Sequence, residues 1–116
     1  MRVLQFEYNP TTPPFEIKSA LNGTLQVEEP WDAQQQLSAH VTDVAGMTYD
    51  ESSDTLLIVS QQSRSVIRVN PQTGAVVETL LLVNTNTSEG ITLFDHCLLA
   101  IVSEPDRIQI YRPEIE

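Results

Sequence analysis

An internal repeat of short apolar segments constrains the fold of this chain more than any other feature. A glycine-led segment at 46–49 (Gly-Met-Thr-Tyr) precedes an apolar run at 56–60. A second one, 44 positions further on at 90–93 (Gly-Ile-Thr-Leu), precedes the run at 98–103. Each copy is followed by an arginine, another apolar run and a proline. A period of about 40–50 residues built from several short strands is typical of β-propeller blades.

The run at 55–60 shows no alternation of apolar and polar residues. Antiparallel strands usually keep one face in water, whereas a blade packed between two others has both faces covered. The pattern therefore predicts one four-stranded blade and three strands of the next. The predicted strands are 44–49, 55–60, 65–69 and 75–83 in the first copy, and 91–94, 98–103 and 108–111 in the second.

The first forty residues precede the repeat and are less regular. Residues 2–8 alternate like a half-buried strand, and Asn22-Gly23 is a hairpin signal between predicted strands at 15–18 and 24–27. From Pro30 onward, helix-forming residues predict a short helix or a loop insertion. Trp31 either anchors this insertion to the rim of the propeller or belongs to an exposed binding patch, and the sequence does not separate the two.

The predicted fold class is all-β, with about two blades' worth of four-stranded antiparallel sheet. The expected boundaries are the end of one blade at 1–29, an insertion at 30–41, a complete blade at 42–83 and most of the last blade at 84–116. The chain is then expected to be the C-terminal portion of a larger propeller. Its exposed blade faces and edges would be covered by the remaining blades or by self-association.

Charge and cysteine content exclude some classes of function. The formal net charge of −10 repels phosphate backbones, so nucleic-acid binding is not expected. Cys97 is the only cysteine, which excludes an internal disulfide or a cysteine-based zinc site. The N-terminal residues lack the apolar core of a signal peptide, so the chain as given is expected to stay where it is made.

Four motifs, taken together in their order along the chain, resemble the SdiA-regulated (YjiK-like) β-propeller family. They are 42–47 (Thr-Asp-Val-Ala-Gly-Met), 54–60 (Asp-Thr-Leu-Leu-Ile-Val-Ser), 88–91 (Ser-Glu-Gly-Ile) and 101–107 (Ile-Val-Ser-Glu-Pro-Asp-Arg). The resemblance implies a six-bladed propeller of the bacterial cell envelope or periplasm, usually behind an export signal or membrane anchor. It also implies a link to quorum-sensing regulation and, for some members, to calcium responses.

Three carboxylates are candidate metal ligands because they precede or follow inner strands, where propeller ligands bind. Asp43 and Glu89 lie at the start of predicted inner strands, and Glu104 follows a second strand. Carboxylates that converge on a channel suit Ca²⁺, which takes six to eight oxygen ligands. The alternative is structural: Asp43 would cap a turn, and Glu89 would satisfy backbone amides beside Gly90.

Arg64 and Arg107 recur after the second strand of each copy and are candidate ligands for an anion. The alternative is that they pair with the acidic surface of the blades. The stretch Asp50-x-Ser52-x-Asp54 resembles a calcium loop but lacks the required glycine, so a solvated hairpin turn is the better interpretation.

The sequence contains no complete catalytic constellation, which favours a non-enzymatic ligand-binding or sensing module. The alternative is a metal-dependent hydrolase of phosphoesters or lactones, with its metal held by Asp43, Glu89 and Glu104.

Overall fold

The computed structural model of the chain describes residues 1–9, 24–82, 88–95, 98–104 and 107–112. The strands are β1 (Gln5–Asn9), β2 (Thr24–Glu28), β3 (Gly46–Asp50), β4 (Thr55–Ser60), β5 (Ser65–Val69), β6 (Val76–Leu81), β7 (Ser88–Phe94), β8 (Leu98–Ser103) and β9 (Arg107–Tyr111). The one helix in these ranges, α1, spans Ala33–Leu37. The predicted strand at 15–18, the Asn22-Gly23 turn, His96 and Cys97 lie outside the described residues.

The strands form antiparallel sheets that confirm the all-β, blade-like prediction. A four-stranded sheet has the order β3-β4-β5-β6, a three-stranded sheet has the order β7-β8-β9, and β1 pairs with β2. The strand containing Gly46 and the strand containing Gly90 therefore belong to different sheets. Each of the two larger sheets is a meander, in which each described strand is hydrogen-bonded to the next one along the chain.

The two larger sheets pair equivalent residues of the repeat with each other. Gly46 lies opposite Val59 in the first sheet, and Gly90 lies opposite Val102 in the second. β7 begins three residues earlier than predicted, at Ser88, because pairing with β8 continues past a β-bulge. The repeat in the sequence is therefore a repeat of strand pairing.

Turn residues adopt the backbone conformations that their side chains tolerate. Asp54 and Asp95, in the turns that precede β4 and β8, both have φ of 51°. Aspartate enters this left-handed region more readily than most residues. In the β5–β6 turn, Gly74 has φ of 78° and donates its backbone N–H to the carbonyl oxygen of Asn70 over 2.8 Å.

β4 lies between two separate apolar cores. Ile58 faces a helix-side core, whereas Leu57 and Val59 face an inter-sheet core between the two larger sheets. The helix-side core contains Val3, Trp31, Ala33, Leu37, Val41, Ile58, Ile67 and Val69. The inter-sheet core contains Leu57, Val59, Val66, Leu82 and Ile101. This double coverage explains the unbroken apolar run in the sequence.

The predicted insertion contains α1, which packs on the four-stranded sheet. Asp32 caps the helix by accepting a hydrogen bond from the backbone N–H of Gln35 at 3.1 Å. Trp31 is 8% exposed, and its indole N–H donates to the carbonyl oxygen of Pro71 over 2.8 Å. Of the two roles considered for Trp31, the structure shows the buried anchor. No helix within the described ranges has the length and apolar content needed to cross a membrane.

Candidate functional site

The two larger sheets approach each other most closely at the start of β3 and β7. A Cβ atom added to Gly46 would lie 3.0 Å from both the carbonyl oxygen of Glu89 and the Cα atom of Gly90. Real Cβ atoms rarely come so close to backbone, so only glycine fits at Gly46 without movement of one strand. We call this contact the glycine seam.

A β-bulge beside the glycine seam determines where Glu89 points. Ser88 pairs with Ser103 and Gly90 pairs with Val102, which leaves Glu89 as an extra residue on β7. Bulges bend a strand and re-aim the side chain of the inserted residue. In the first sheet β3 begins at Gly46, and its pairing with β4 shows no bulge. The register shift of that sheet lies instead between Arg68 and Val69, where β5 pairs with β6.

The bulge brings Glu89 to Glu104, the residue that follows β8. The two carboxyl groups lie within hydrogen-bonding reach, and both residues are exposed. The negative charge of Glu104 raises the pKa of Glu89 above its ordinary value, and partial desolvation and the hydrogen bond add to this effect. We call these two residues the acidic pair, and they are the candidate functional site.

Asp43, the third predicted metal ligand, forms hydrogen bonds to the turn that follows β4. Its carboxylate accepts hydrogen bonds from the Ser60 hydroxyl at 2.5 Å and from the backbone N–H of Gln62 at 3.0 Å. Ser60 in turn accepts the backbone N–H of Ser63 at 3.2 Å. In the part of the chain that the structure describes, no group of three or more His, Cys, Asp or Glu side chains could hold a metal. Glu89 and Glu104 therefore meet in the structure, and Asp43 does not join them.

The two candidate anion ligands occupy different positions in their blades. Arg64 is an exposed turn residue with φ of 48°, and its carbonyl oxygen accepts the backbone N–H of Leu82 at 2.8 Å. Arg107 is the first residue of β9 and pairs with Ser103, as Ser65 pairs with Ser60. By register, Arg107 corresponds to Ser65 and not to Arg64.

A polar network lies at the far end of β3, where the sequence predicts a solvated hairpin turn but not the participation of Arg68. The Asp50 carboxylate accepts the guanidinium of Arg68 at 2.8 Å, together with the hydroxyls of Ser52 and Ser53 at 2.7 and 2.9 Å. Arg68 also donates to Thr55 at 2.6 Å and to Glu78 at 3.2 Å. We call this set the turn network.

The turn network explains the stretch that resembles a calcium loop. The Ser52 hydroxyl, the Arg68 guanidinium and the Ser53 hydroxyl hold the pKa of Asp50 well below its usual range. Asp54 accepts the phenol of Tyr49 at 2.6 Å, and this hydrogen bond raises the pKa of Tyr49. The signal available in the sequence was an aspartate followed by serines at the second and third positions, a pattern that favours a side-chain-capped turn.

An open groove of about 560 Å³ lies beside β3, on the side away from the second sheet. Met47 and Tyr49 line it, with exposed fractions of 39% and 49%, together with Leu4 and Leu56. Its walls are mainly apolar, and its charged lining residue, Asp54, is already bonded to Tyr49. The groove therefore has weaker features for ligand binding than the acidic pair.

Comparison with known proteins agrees with the resemblance seen in the sequence. A family model described as SdiA-regulated matches residues 7–112 of the chain. None of the curated proteins matches it. The match covers both larger sheets and the acidic pair.

Proposed function

The chain belongs to the SdiA-regulated family, and we propose that it acts there as a non-enzymatic ligand-binding or sensing module. In this proposal the acidic pair binds a divalent cation, and Ca²⁺ is the ion. The observation that carries the proposal is the contact between the carboxyl groups of Glu89 and Glu104.

Two like charges in contact are unfavourable unless a proton or a cation lies between them. Carboxylate oxygens are the ligands that Ca²⁺ prefers, and the ion also accepts backbone carbonyls and water. The acidic pair would supply two carboxylates, so most of the coordination shell would come from other oxygens. We therefore expect modest affinity from this chain alone.

Calorimetric titration with CaCl₂ tests the proposal. The wild-type chain is expected to bind one ion, and Glu89→Gln and Glu104→Gln are each expected to weaken binding at least tenfold. Glu51→Gln removes an exposed carboxylate from the β3–β4 turn and is the matched control, since it changes the net charge equally. The proposal would be contradicted if the wild type gave no heat of binding, or if Glu51→Gln lowered the affinity for Ca²⁺ as much as the two test variants.

The alternative from the sequence, a metal-dependent hydrolase of phosphoesters or lactones, would use the same acidic pair. Both functions require the cation, but only the hydrolase converts a substrate. Assays of such substrates with added Ca²⁺, Mg²⁺ or Mn²⁺ separate the two. Turnover that is lost in Glu89→Gln would replace the binding proposal with the enzymatic one.

The proposal extends to location and to partners. Membership of the family supports the cell envelope of a bacterium as the place of action, which fractionation of cells carrying the tagged native gene would test. The exposed face of the three-stranded sheet, with Val102, Ile108 and Ile110, supports contact with further blades.

A further inference from the structure

Glu89 takes part in two contacts that involve different sheets. Its carboxyl group meets that of Glu104, which directly follows β8 in the three-stranded sheet. Its carbonyl oxygen faces Gly46 of the four-stranded sheet, where an added Cβ atom would lie 3.0 Å from it. Both groups belong to one residue, and the peptide bond from Glu89 to Gly90 is part of the glycine seam. A change at Gly46 can therefore reach the acidic pair without touching either carboxylate.

The Gly46 side of the glycine seam is held firmly. Gly46 pairs with Val59, and the backbone N–H of Ala45 donates to the carbonyl oxygen of Val59 over 2.9 Å. Val59 is fully buried in the inter-sheet core, and its Cγ1 atom would lie 3.2 Å from a Cβ atom on Gly46. Buried, close-packed groups resist displacement. β3 therefore has little room to move away from β7.

The Glu89 side of the glycine seam is held less firmly. The β-bulge leaves Glu89 without an opposite residue on β8, and β7 is paired on one side only among the described strands. The ladder is disrupted at a bulge, so fewer hydrogen bonds hold the strand there. Glu89 is also exposed. A side chain at position 46 would therefore displace the Glu89–Gly90 peptide rather than β3.

We propose that Gly46 is a positioning residue of the acidic pair. Because it lacks a side chain, it leaves room for the Glu89–Gly90 peptide in the position that holds the Glu89 carboxyl group against Glu104. The four-stranded sheet thus supports a site whose two carboxylates both come from the other sheet, and the site forms only while the two sheets are stacked. The effect on Ca²⁺ binding rests on the proposed function, whereas the effect on the geometry of the acidic pair does not.

Calorimetric titration with CaCl₂ tests the effect on binding. Gly46→Ala is expected to weaken binding at least about fivefold, because binding groups tolerate displacements of only about 0.5 Å. Leu37→Ala is the matched control, since it destabilises the helix-side core on the other face of the four-stranded sheet and leaves the glycine seam unchanged. The proposal would be overturned if Gly46→Ala bound Ca²⁺ as tightly as the wild type, or if Leu37→Ala lost as much affinity. Circular dichroism establishes that both variants are folded.

Melting temperatures in metal-free buffer at pH 7 test the geometry without a cation. Glu89→Gln removes the repulsion between two carboxylates in contact, so it is expected to raise the melting temperature of the wild type and, by a similar shift, of Leu37→Ala. In Gly46→Ala this gain is expected to be lost, because the two carboxyl groups are no longer in contact. The same gain in Gly46→Ala, or no gain in the wild type, would overturn the positioning role. If the wild type binds no Ca²⁺ but the melting temperatures follow the expected pattern, the proposed function is contradicted and the positioning role is supported.

A nuclear magnetic resonance measurement does not require Gly46→Ala to fold. In the metal-free chain, Glu104→Gln is expected to shift the backbone amide signal of Gly46, through the Glu89 peptide that lies between them. The signal of Thr79, on β6 of the same sheet as Gly46, serves as the control and should stay in place. An unchanged Gly46 signal, or an equal shift at Thr79, would overturn the proposal.

Discussion

At the residue scale, Asp50 shows how one carboxylate secures a hairpin. The residue is 6% exposed, and it receives the Arg68 guanidinium from two strands away and the Ser52 and Ser53 hydroxyls from its own turn. A poorly solvated carboxylate is stable only when such donors surround it. The turn network therefore fixes the β3–β4 turn to the face of the sheet.

Replacing this carboxylate tests its contribution. Asp50→Asn is expected to lower the free energy of unfolding by about 2 kcal/mol at pH 7, because it removes a charged acceptor and leaves Arg68 poorly paired. Urea denaturation measures this loss, and Glu51→Gln in the same turn is the control. A change below 0.5 kcal/mol (about the error of such experiments) would contradict this role.

The Asp50 carboxylate should also make the free energy of unfolding depend on pH. The pKa of Asp50 is lowered in the folded chain, so the unfolded chain takes up its proton first as pH falls. Its stabilisation is complete above the ordinary pKa of 3.8 and decreases as pH falls below that value. The difference between wild type and Asp50→Asn should therefore shrink below about pH 4.

The acidic pair should behave in the opposite way. The pKa of Glu89 is raised, so without a cation the folded chain loses stability as pH rises from its ordinary pKa through the folded one. Glu89→Gln removes the repulsion and is expected to raise the melting temperature at pH 7, with no gain at pH 3. A lower melting temperature at pH 7 in metal-free buffer would show that the two carboxylates do not repel.

At the element scale, α1 is a short helix that depends on the sheet beneath it. Five residues are too few for a stable helix in water, so its packed side supplies the stability. Leu37 and Ala33 are fully buried against the helix-side core. Trp31 fixes the start of this segment, and its ring occupies the space that a Cβ atom on Gly74 would fill, with a nearest distance of 2.5 Å.

Truncation of the buried face tests this dependence. Leu37→Ala is expected to lower the free energy of unfolding by about 3 kcal/mol, through lost burial and the cavity left behind. Gln34→Ala, on the exposed side of the same helix, should change it by less than about 0.5 kcal/mol. Similar losses for the two variants, measured by urea denaturation, would show that α1 does not pack as described.

The strands were more predictable than the contacts between them. The apolar run of β4 indicated coverage on both faces, and turn residues located the hairpins at 50–54 and 70–74. The bulge at Glu89 and the reach of Arg68 to Asp50 depend on pairing register, which no local pattern reveals. The sequence groups Asp43, Glu89 and Glu104 as candidate metal ligands, but it does not predict that Glu89 lies beside Glu104. The carboxylate of Asp43 instead bonds to Ser60 and to the backbone of Gln62, in the turn that follows β4.

At the scale of the whole molecule, two equivalent sheets stack through a layer of apolar side chains. Leu57, Val59 and Val66 of the first sheet meet Ile101 of the second in the inter-sheet core. The glycine seam sets the separation of their inner strands. The acidic pair lies beside that seam, so the stacking of the sheets determines the position of the site.

A pair of alanine substitutions tests the seam. Gly46→Ala is expected to cost about 1–3 kcal/mol, because its Cβ atom would meet backbone atoms of β7. Gly90→Ala is the matched control: its Cβ atom would lie 3.8 Å from that of Val102, an ordinary contact. The seam would be contradicted if Gly90→Ala cost as much as Gly46→Ala in urea denaturation.

The stacking itself is tested most directly by nuclear Overhauser contacts in the isotope-labelled chain. We predict a strong cross-peak between the α-protons of Gly46 and Gly90, together with separate backbone ladders that join Gly46 to Val59 and Gly90 to Val102. Absence of the glycine cross-peak, or one continuous backbone ladder that joins β3 to β7, would show that the two sheets do not stack as described.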